Sequence, residues 1–368
     1  MTDIVWQPDP EQIERSLLAD FMRAVPGQPT DYEALWRWSV DDLAAFWAAV
    51  WERCGVRAHR HYDEVMSEPR MPGTRWFAGA ELNYAEHLLA GEDDSVAVFA
   101  AGEGHQDETL TWRQLRRRVA RAQAGLRAAG VQSGDRVAGL VSNTVEALVA
   151  MLATSALGAV WSSCSPDFGA QGVVDRFGQI RPKLLLTHDA YRYNGTTYEL
   201  DEKVAAVREA LGELEHVVVI ETPFGGEASA RIRSNGHGAT VQTWKRFCDH
   251  DAEEPSFRAL PFDHPYAILY SSGTTGPPKS IIHGTGGTLL KHLCEHQLQS
   301  DVRPGDVVFW FTTCGGMMWN WLVSALASHA TVVLYDGSPT ADGLETLWRL
   351  AERAGITHFG TSPKFLAA

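Results

Sequence analysis

The chain is 368 residues long, 45% hydrophobic and 21% charged, a composition that supports a sizeable core and excludes a disordered or fibrous protein. Thirty-two Lys and Arg against 46 Asp and Glu leave a formal charge of −14, the wrong sign for a binder of nucleic acid or of an anionic membrane. Five scattered cysteines, none in a C-x-x-C pair, point to reduced thiols rather than a disulfide framework or a zinc site.

Met1 to Pro10 has no basic stretch followed by an apolar core, so neither a signal nor a transit peptide is expected, and the expected location is cytoplasmic. From Trp36 to Arg53 apolar residues recur at helical spacing. Asp41 and Asp42 sit where an N-terminal turn favours negative charge, and Gly55 follows as a stop. Residues 1–95 are therefore read as an N-terminal helical cap region and 96–368 as part of a large α/β domain. Between Arg70 and Leu89 a Pro/Gly-marked loop runs into a short helix whose role is packing. Thr111 and Gln114 form a capping box for a helix from Trp112 to Ala129, and Gly130 stands at its C-cap. The basic run Arg113 to Arg121 on that helix reads as a solvated face.

Arg136–Val141 as a strand, Asn143–Leu157 as a helix and Ala159–Ser163 as a second strand make a βαβ unit with a parallel pair. The charge-free run Ala147 to Pro166 has the length of a membrane span, yet Gly158, Ser162 and Ser163 punctuate it, so a helix and a strand inside a core are expected. Lys183–Thr187, His216–Glu221, Ala267–Tyr270, Val307–Thr312, Thr331–Tyr335 and Ile356–Phe359 are short, apolar and β-branched, with helical patterns between most of them. The expected fold class is α/β, with mostly parallel sheets flanked by helices. Gly225 to Gly238 is small, polar and glycine-rich and reads as a mobile surface loop. His292, Cys294 and His296 lack further ligands at sensible spacing and read as a surface helix, not a metal site. Ser362 and Pro363 open a helix that stops at Ala368, which suggests the leading part of a longer polypeptide.

The strongest chemical signal is Tyr270 to Lys279, YSSGTTGPPK, directly after a strand. Glycines let the backbone approach an anion closely, hydroxyls and amides donate to phosphate oxygens, and the lysine supplies charge. It is no Walker A loop, because Pro278 stands where that motif needs glycine. The plainer alternative is a Ser/Gly-rich strand-to-strand connection. A second stretch, Cys314 to Trp321, sets two methionines and two tryptophans beside small glycines. It can form a compact apolar pocket, or plain core, since Met318, Leu322 and Ala325 recur at helical spacing.

The loop resembles that of the adenylate-forming superfamily, whose acyl-CoA synthetases carry a Ser/Thr/Gly-rich segment ending in Pro-Lys, matched here by Ser271, Ser272, Gly273, Thr274, Thr275, Gly276, Pro278 and Lys279. Further likeness lies in His283 to Gly287, Trp76 to Leu89, Ser165 to Gly169, Asp175 to Ile180 and Met317 to Trp321. Together these are most similar to the members that act on acetoacetate, with acetate or propionate as the nearest alternative acids. The resemblance spans Trp36 to Ala368 and implies the large N-terminal, AMP-binding domain of that fold, without the family's later adenine, ribose and magnesium motifs or its C-terminal domain.

It further implies that the acid reacts with ATP, with Mg2+ present, to an acyl-adenylate and pyrophosphate, after which the thiol of coenzyme A displaces AMP. Lys279 and Thr274 would be catalytic, and Ser271, Ser272, Gly273, Thr275 and Gly276 would complete the phosphate cradle. His283 would belong to the loop that follows it. Gly315, Gly316, Met317, Met318 and Trp319 would form the acid pocket, although Gly316 stands where the family usually has an aromatic, which leaves the acid open. Arg192 aligns with a basic loop at the nucleotide end of coenzyme A, the alternative being a solvated turn. From other classes, a non-catalytic nucleotide-binding module and a simple phosphate-loop NTPase compete with this reading.

Overall fold

Short β-branched runs alternating with helix-forming segments build two sheets with helices packed between and outside them. A computed structural model describes residues 4, 6–234, 238–271 and 276–367. In chain order the strands of the two main sheets are β1 (Val96–Gly102), β2 (Glu108–Thr111), β3 (Arg136–Leu140), β4 (Val160–Cys164), β5 (Leu184–His188), β6 (His216–Ile220), β7 (Thr240–Thr243), β8 (Pro265–Ser271), β9 (Lys279–Gly284), β10 (Val307–Trp310), β11 (Thr331–Asp336) and β12 (His358–Gly360). The larger sheet has the order β7-β6-β5-β3-β4-β8-β9 and the smaller β12-β10-β11-β1-β2. Every pair is parallel except β8 with β9 and β1 with β2.

Two helices, α1 (Trp112–Ala128) and α2 (Val145–Leu157), fill the space between the sheets. One core cluster joins Leu115 and Val119 of α1 and Leu148 and Leu152 of α2 to Val137 and Trp161 of the larger sheet and Val332 and Leu334 of the smaller. Every residue of α2 except Glu146 and Leu157 is buried, as befits a helix that is apolar all round. Gly158, at φ +77°, ends it in the left-handed conformation, and β4 begins two residues later. The charge-free run is thus a core helix, a turn and a strand, and among the described residues no helix is long and apolar enough to cross a membrane. On the outer face of the larger sheet, α3 (Ala170–Ile180) buries Val173, Phe177 and Ile180 against Leu140, Leu185 and Val219.

The capping box at Thr111 and Gln114 is present, with both reciprocal bonds. The Arg113 to Arg121 face is largely solvated and paired with Asp93, Asp94, Glu108 and Glu253, whereas Arg116 folds back onto the carbonyls of Leu89 and Gly91. Asn83 explains the segment Trp76 to Leu89. Its Oδ1 accepts from the Ala85 amide at 3.0 Å and caps a short helix, while Nδ2 donates to the carbonyls of Ala156 at 3.2 Å and Arg258 at 2.9 Å. One buried amide therefore ties that helix to the end of α2 and to the approach to β8.

Three expectations are corrected. The stretch Trp36 to Arg53 is two helices, Tyr32–Asp41 and Leu43–Arg53, because Asp42 leaves the helical conformation and its carboxylate caps the second one through the Ala45 amide. Within Gly225 to Gly238, residues Ala228–Ser234 form a helix rather than a mobile loop, since Ile232 is buried among Val204 and Val207 and Arg208 donates to its carbonyl at 3.0 Å; residues 235–237 lie outside the described residues. His292, Cys294 and His296 are buried rather than on a surface helix. They run from the end of a helix (Thr285–Leu293) into one π-helical turn that packs on the core.

Candidate active site

The Ser/Thr/Gly-rich segment joins two antiparallel neighbours, so it is the tip of a hairpin. Ser271 at the end of β8 lies directly opposite Lys279 at the start of β9, and Tyr270 opposite Ser280. Gly276 takes φ +127°, a backbone conformation that suits glycine. Ser272, Gly273, Thr274 and Thr275 lie outside the described residues. Lys279 is exposed on the edge strand, and among the described residues no carboxylate is paired with it. His283 lies on β9 itself rather than in a following loop.

Helix α3 underlies both stems of this hairpin. The Arg176 guanidinium sits 4.3 Å from the centre of the Phe168 ring and 5.9 Å from that of Tyr270, a cation–π arrangement. One turn on, Gln179 donates to the Pro278 carbonyl at 2.9 Å and accepts from the Ser280 hydroxyl at 2.9 Å. Burial pushes the Tyr270 hydroxyl well above its ordinary range, with a bond from Ser162 as the smaller opposing effect. It therefore stays protonated and adds no negative charge beside the loop. Burial also raises Cys164 to about 12 and holds Cys314 well above the ordinary thiol range, so neither thiol is a nucleophile near neutral pH.

The stretch after β10 enters a short helix, α4 (Met317–Val323). Gly315 packs so closely on the end of β4 that a Cβ there would lie 3.1 Å from the Ser165 amide nitrogen. Gly316 and Met318 are half-buried and Met317 is 51% exposed. Trp319 is enclosed in the core rather than facing open space, its indole donating to Asn143 Oδ1 at 2.8 Å. Gly315 thus lies beside the Ser165–Phe168 turn, whereas the nearest neighbours of Gly316 are Thr312 and Thr313.

Arg192 lies on a separate hairpin (Ala190–Tyr193 with Thr196–Glu199), whose turn is held by Glu103 accepting from the amides of Asn194 and Gly195. The Arg192 side chain is half-buried, its Nε buried without a partner, and it lines a cavity of about 400 Å3 together with Gly104, His105, Tyr335, Arg349 and Arg353. Arg349 and Arg353, spaced i and i+4 on one helix, are bonded to Glu345 and Asp107. Sequence reading assigned no role to Gln179, Arg349 or Arg353. The usable signals were the i,i+3 spacing of Arg176 and Gln179 and the i,i+4 spacing of the two arginines. Among the described residues no three His, Cys, Asp or Glu side chains are grouped to hold a metal ion.

Residues 86–368 match the family model described as AMP-binding enzyme, and residues 32–88 the one described as acetyl-coenzyme A synthetase N-terminus. The chain belongs to the AMP-binding enzyme family, and its α/β fold is that of the large N-terminal domain of adenylate-forming enzymes. Its similarity is specific. An acetoacetyl-coenzyme A synthetase of Rhizobium meliloti (strain 1021) is 44% identical over 368 residues, which cover 99% of this chain and 56% of the relative. A malonamoyl-CoA synthetase, vrtB of Penicillium aethiopicum, is 44% identical over 356 residues, covering 91% of this chain and 49% of the relative. The solved acetoacetyl-CoA synthetase from Streptomyces lividans superposes with a TM-score of 0.91 at 43% identity, covering 99% of this chain and 56% of that one. The chain spans about half the length of the curated relatives it matches.

Proposed function

We propose that this chain carries the nucleotide-activating site of an AMP-forming acid–thiol ligase. ATP and a short carboxylate give an acyl-adenylate and pyrophosphate, and the thiol of coenzyme A then displaces AMP to form the thioester. The observation that carries this reading is the β8–β9 hairpin, which sets opposite Ser271 a lysine that no acidic side chain pairs among the described residues. Lys279 neutralises charge on the β- and γ-phosphates as pyrophosphate leaves, and Ser271, Ser272, Gly273, Thr274, Thr275 and Gly276 supply hydroxyl and amide donors. Thr274 stands with Lys279 as a catalytic residue. Catalysis is positioning plus electrostatic stabilisation, with no covalent enzyme intermediate, in keeping with the protonated buried thiols. Mg2+ bound together with ATP would add to the charge neutralisation that Lys279 supplies to the leaving pyrophosphate.

The acid is assigned as acetoacetate. The acetoacetyl and malonamoyl groups of the relatives' names both carry a carbonyl two carbons from the thioester, and differ at the end as methyl against amide nitrogen. A pocket for a planar 3-carbonyl acid suits both, and Gly315, Gly316, Met317 and Met318 form its wall, with Trp319 behind them. Arg192, beside Arg349 and Arg353, takes phosphate at the nucleotide end of coenzyme A, for which planar guanidinium forks are apt. The family matches meet at residues 86–88, which supports a division near residue 95. Five unpaired cysteines support a cytoplasmic setting.

The test is acid-dependent exchange between pyrophosphate and ATP in the full-length protein, with acetoacetate, malonamate, acetate and propionate compared by kcat/KM. The highest value is expected for acetoacetate, and a higher one for acetate overturns the acid assignment. Nucleotide binding without exchange for any acid replaces the ligase with a binding module, and ATP hydrolysis without acid replaces it with an NTPase.

A further inference from the structure

Gln179 stands on the last turn of α3, exposed, with its carboxamide fully engaged. Nε2 donates to the carbonyls of Pro278 at 2.9 Å and Asp175 at 2.6 Å, and Oε1 accepts from Ser280 Oγ at 2.9 Å. Pro278 and Ser280 are the two neighbours of Lys279. A single side chain from another element therefore grips the backbone before the lysine and the hydroxyl after it.

The strand register gives that grip a consequence. Successive side chains of a strand point to opposite faces, and a one-residue slip exchanges the faces. Ser280 faces α3, as does its cross-strand partner Tyr270, which lies beneath Arg176. Lys279 and its partner Ser271 consequently face the other side of the sheet. On an exposed edge strand little apolar burial holds the register, since β9 is exposed from Lys279 to Ile282. We propose that Gln179 is a positioning residue that fixes the face and reach of Lys279 toward the β- and γ-phosphates that leave as pyrophosphate. The inference rests on the ligase reading and adds to it a residue that touches neither substrate.

The test uses the full-length protein with Gln179→Met, which keeps length and removes both bonds to the hairpin as well as the one to Asp175, Ser280→Ala, and the double variant. Three readouts are needed: KM values for ATP and for the acid in pyrophosphate exchange, calorimetric affinity for inorganic pyrophosphate, and Tm. Gln179→Met should raise KM for ATP and weaken pyrophosphate binding by roughly three- to tenfold, the range of one or two net hydrogen bonds. KM for the acid and Tm should not move, and the two substitutions should combine less than additively. Unchanged ATP KM and pyrophosphate affinity in Gln179→Met, or a parallel rise in both KM values with a lowered Tm, overturns the positioning role. If the unaltered protein exchanges with no acid, the ligase reading falls, and pyrophosphate binding alone then decides for or against Gln179.

Discussion

Lys279 carries a charge that no described acidic side chain offsets, on a strand edge open to solvent. An anion reaching it forms a charge-assisted bond, worth more than a neutral one. Lys279→Ala is expected to slow acid-dependent pyrophosphate exchange about a hundredfold, or on the order of 2–3 kcal/mol. An undiminished rate in that variant counts against the phosphate-cradle role. The lysine and its loop were legible in the sequence because the chemistry sits in consecutive residues. Gln179 falls within a stretch that resembles the family, but its role was not legible, because its partners Pro278 and Ser280 lie 99 and 101 positions away. Asn83 teaches the converse: it lies within a segment that resembles the family, yet its bonds are to backbone carbonyls and amides inside the core.

Between residues and molecule stand the elements that aim them. Helix α3 braces the loop hairpin, and the helix Thr285–Leu293 that follows β9 carries the chain back into the core. Its first turn packs on Phe262, where a Cβ on Gly286 would come within 2.1 Å of the ring. Because Phe262 is itself buried against Phe77 and Trp51, the ring has little room to yield. Gly286→Ala is expected to destabilise the fold by about 1–3 kcal/mol, measured as a lowered urea midpoint, and an unchanged midpoint would show that the ring moves freely. Element boundaries followed local signals where these were strong, as with the capping box at Thr111. They departed from them where one residue served two roles, as Asp42 does in breaking one helix to cap the next.

At the scale of the molecule, two sheets closing on α1 and α2 leave polar groups deep inside, and some of these titrate. Burial lowers His87 to about 4 and His292 and His296 to about 3. His87 is fixed as the neutral tautomer, with Nδ1 facing the Asn83 carbonyl at 2.9 Å and Nε2 accepting the Arg57 amide at 2.9 Å. His292 Nδ1 lies 2.7 Å from Ser324 Oγ, and both nitrogens of His296 are without a partner among the described residues. An unfolded chain takes up these protons first, near pH 6.5, so the contribution to stability is whole above that pH and is lost as pH falls toward about 3. Urea unfolding at pH 7.5 and pH 5 should show a clear loss at the lower pH, restored in part by His296→Phe. Equal stability at both values would mean that these imidazoles are protonated in the folded state.

From the sequence alone came the alternation of strand and helix and the core nature of the charge-free run, together with the residue types from which a phosphate loop is proposed. These are local: period, caps and side-chain type are complete within a few consecutive residues. Only the tertiary structure decided that the loop tops a hairpin, that Lys279 and Ser271 share a face away from α3, that three arginines converge on one cavity, and that His292 and His296 are core residues. Those outcomes depend on which distant segments pack together, and long-range packing is set by the fit of whole faces, to which a periodic pattern in one segment is blind.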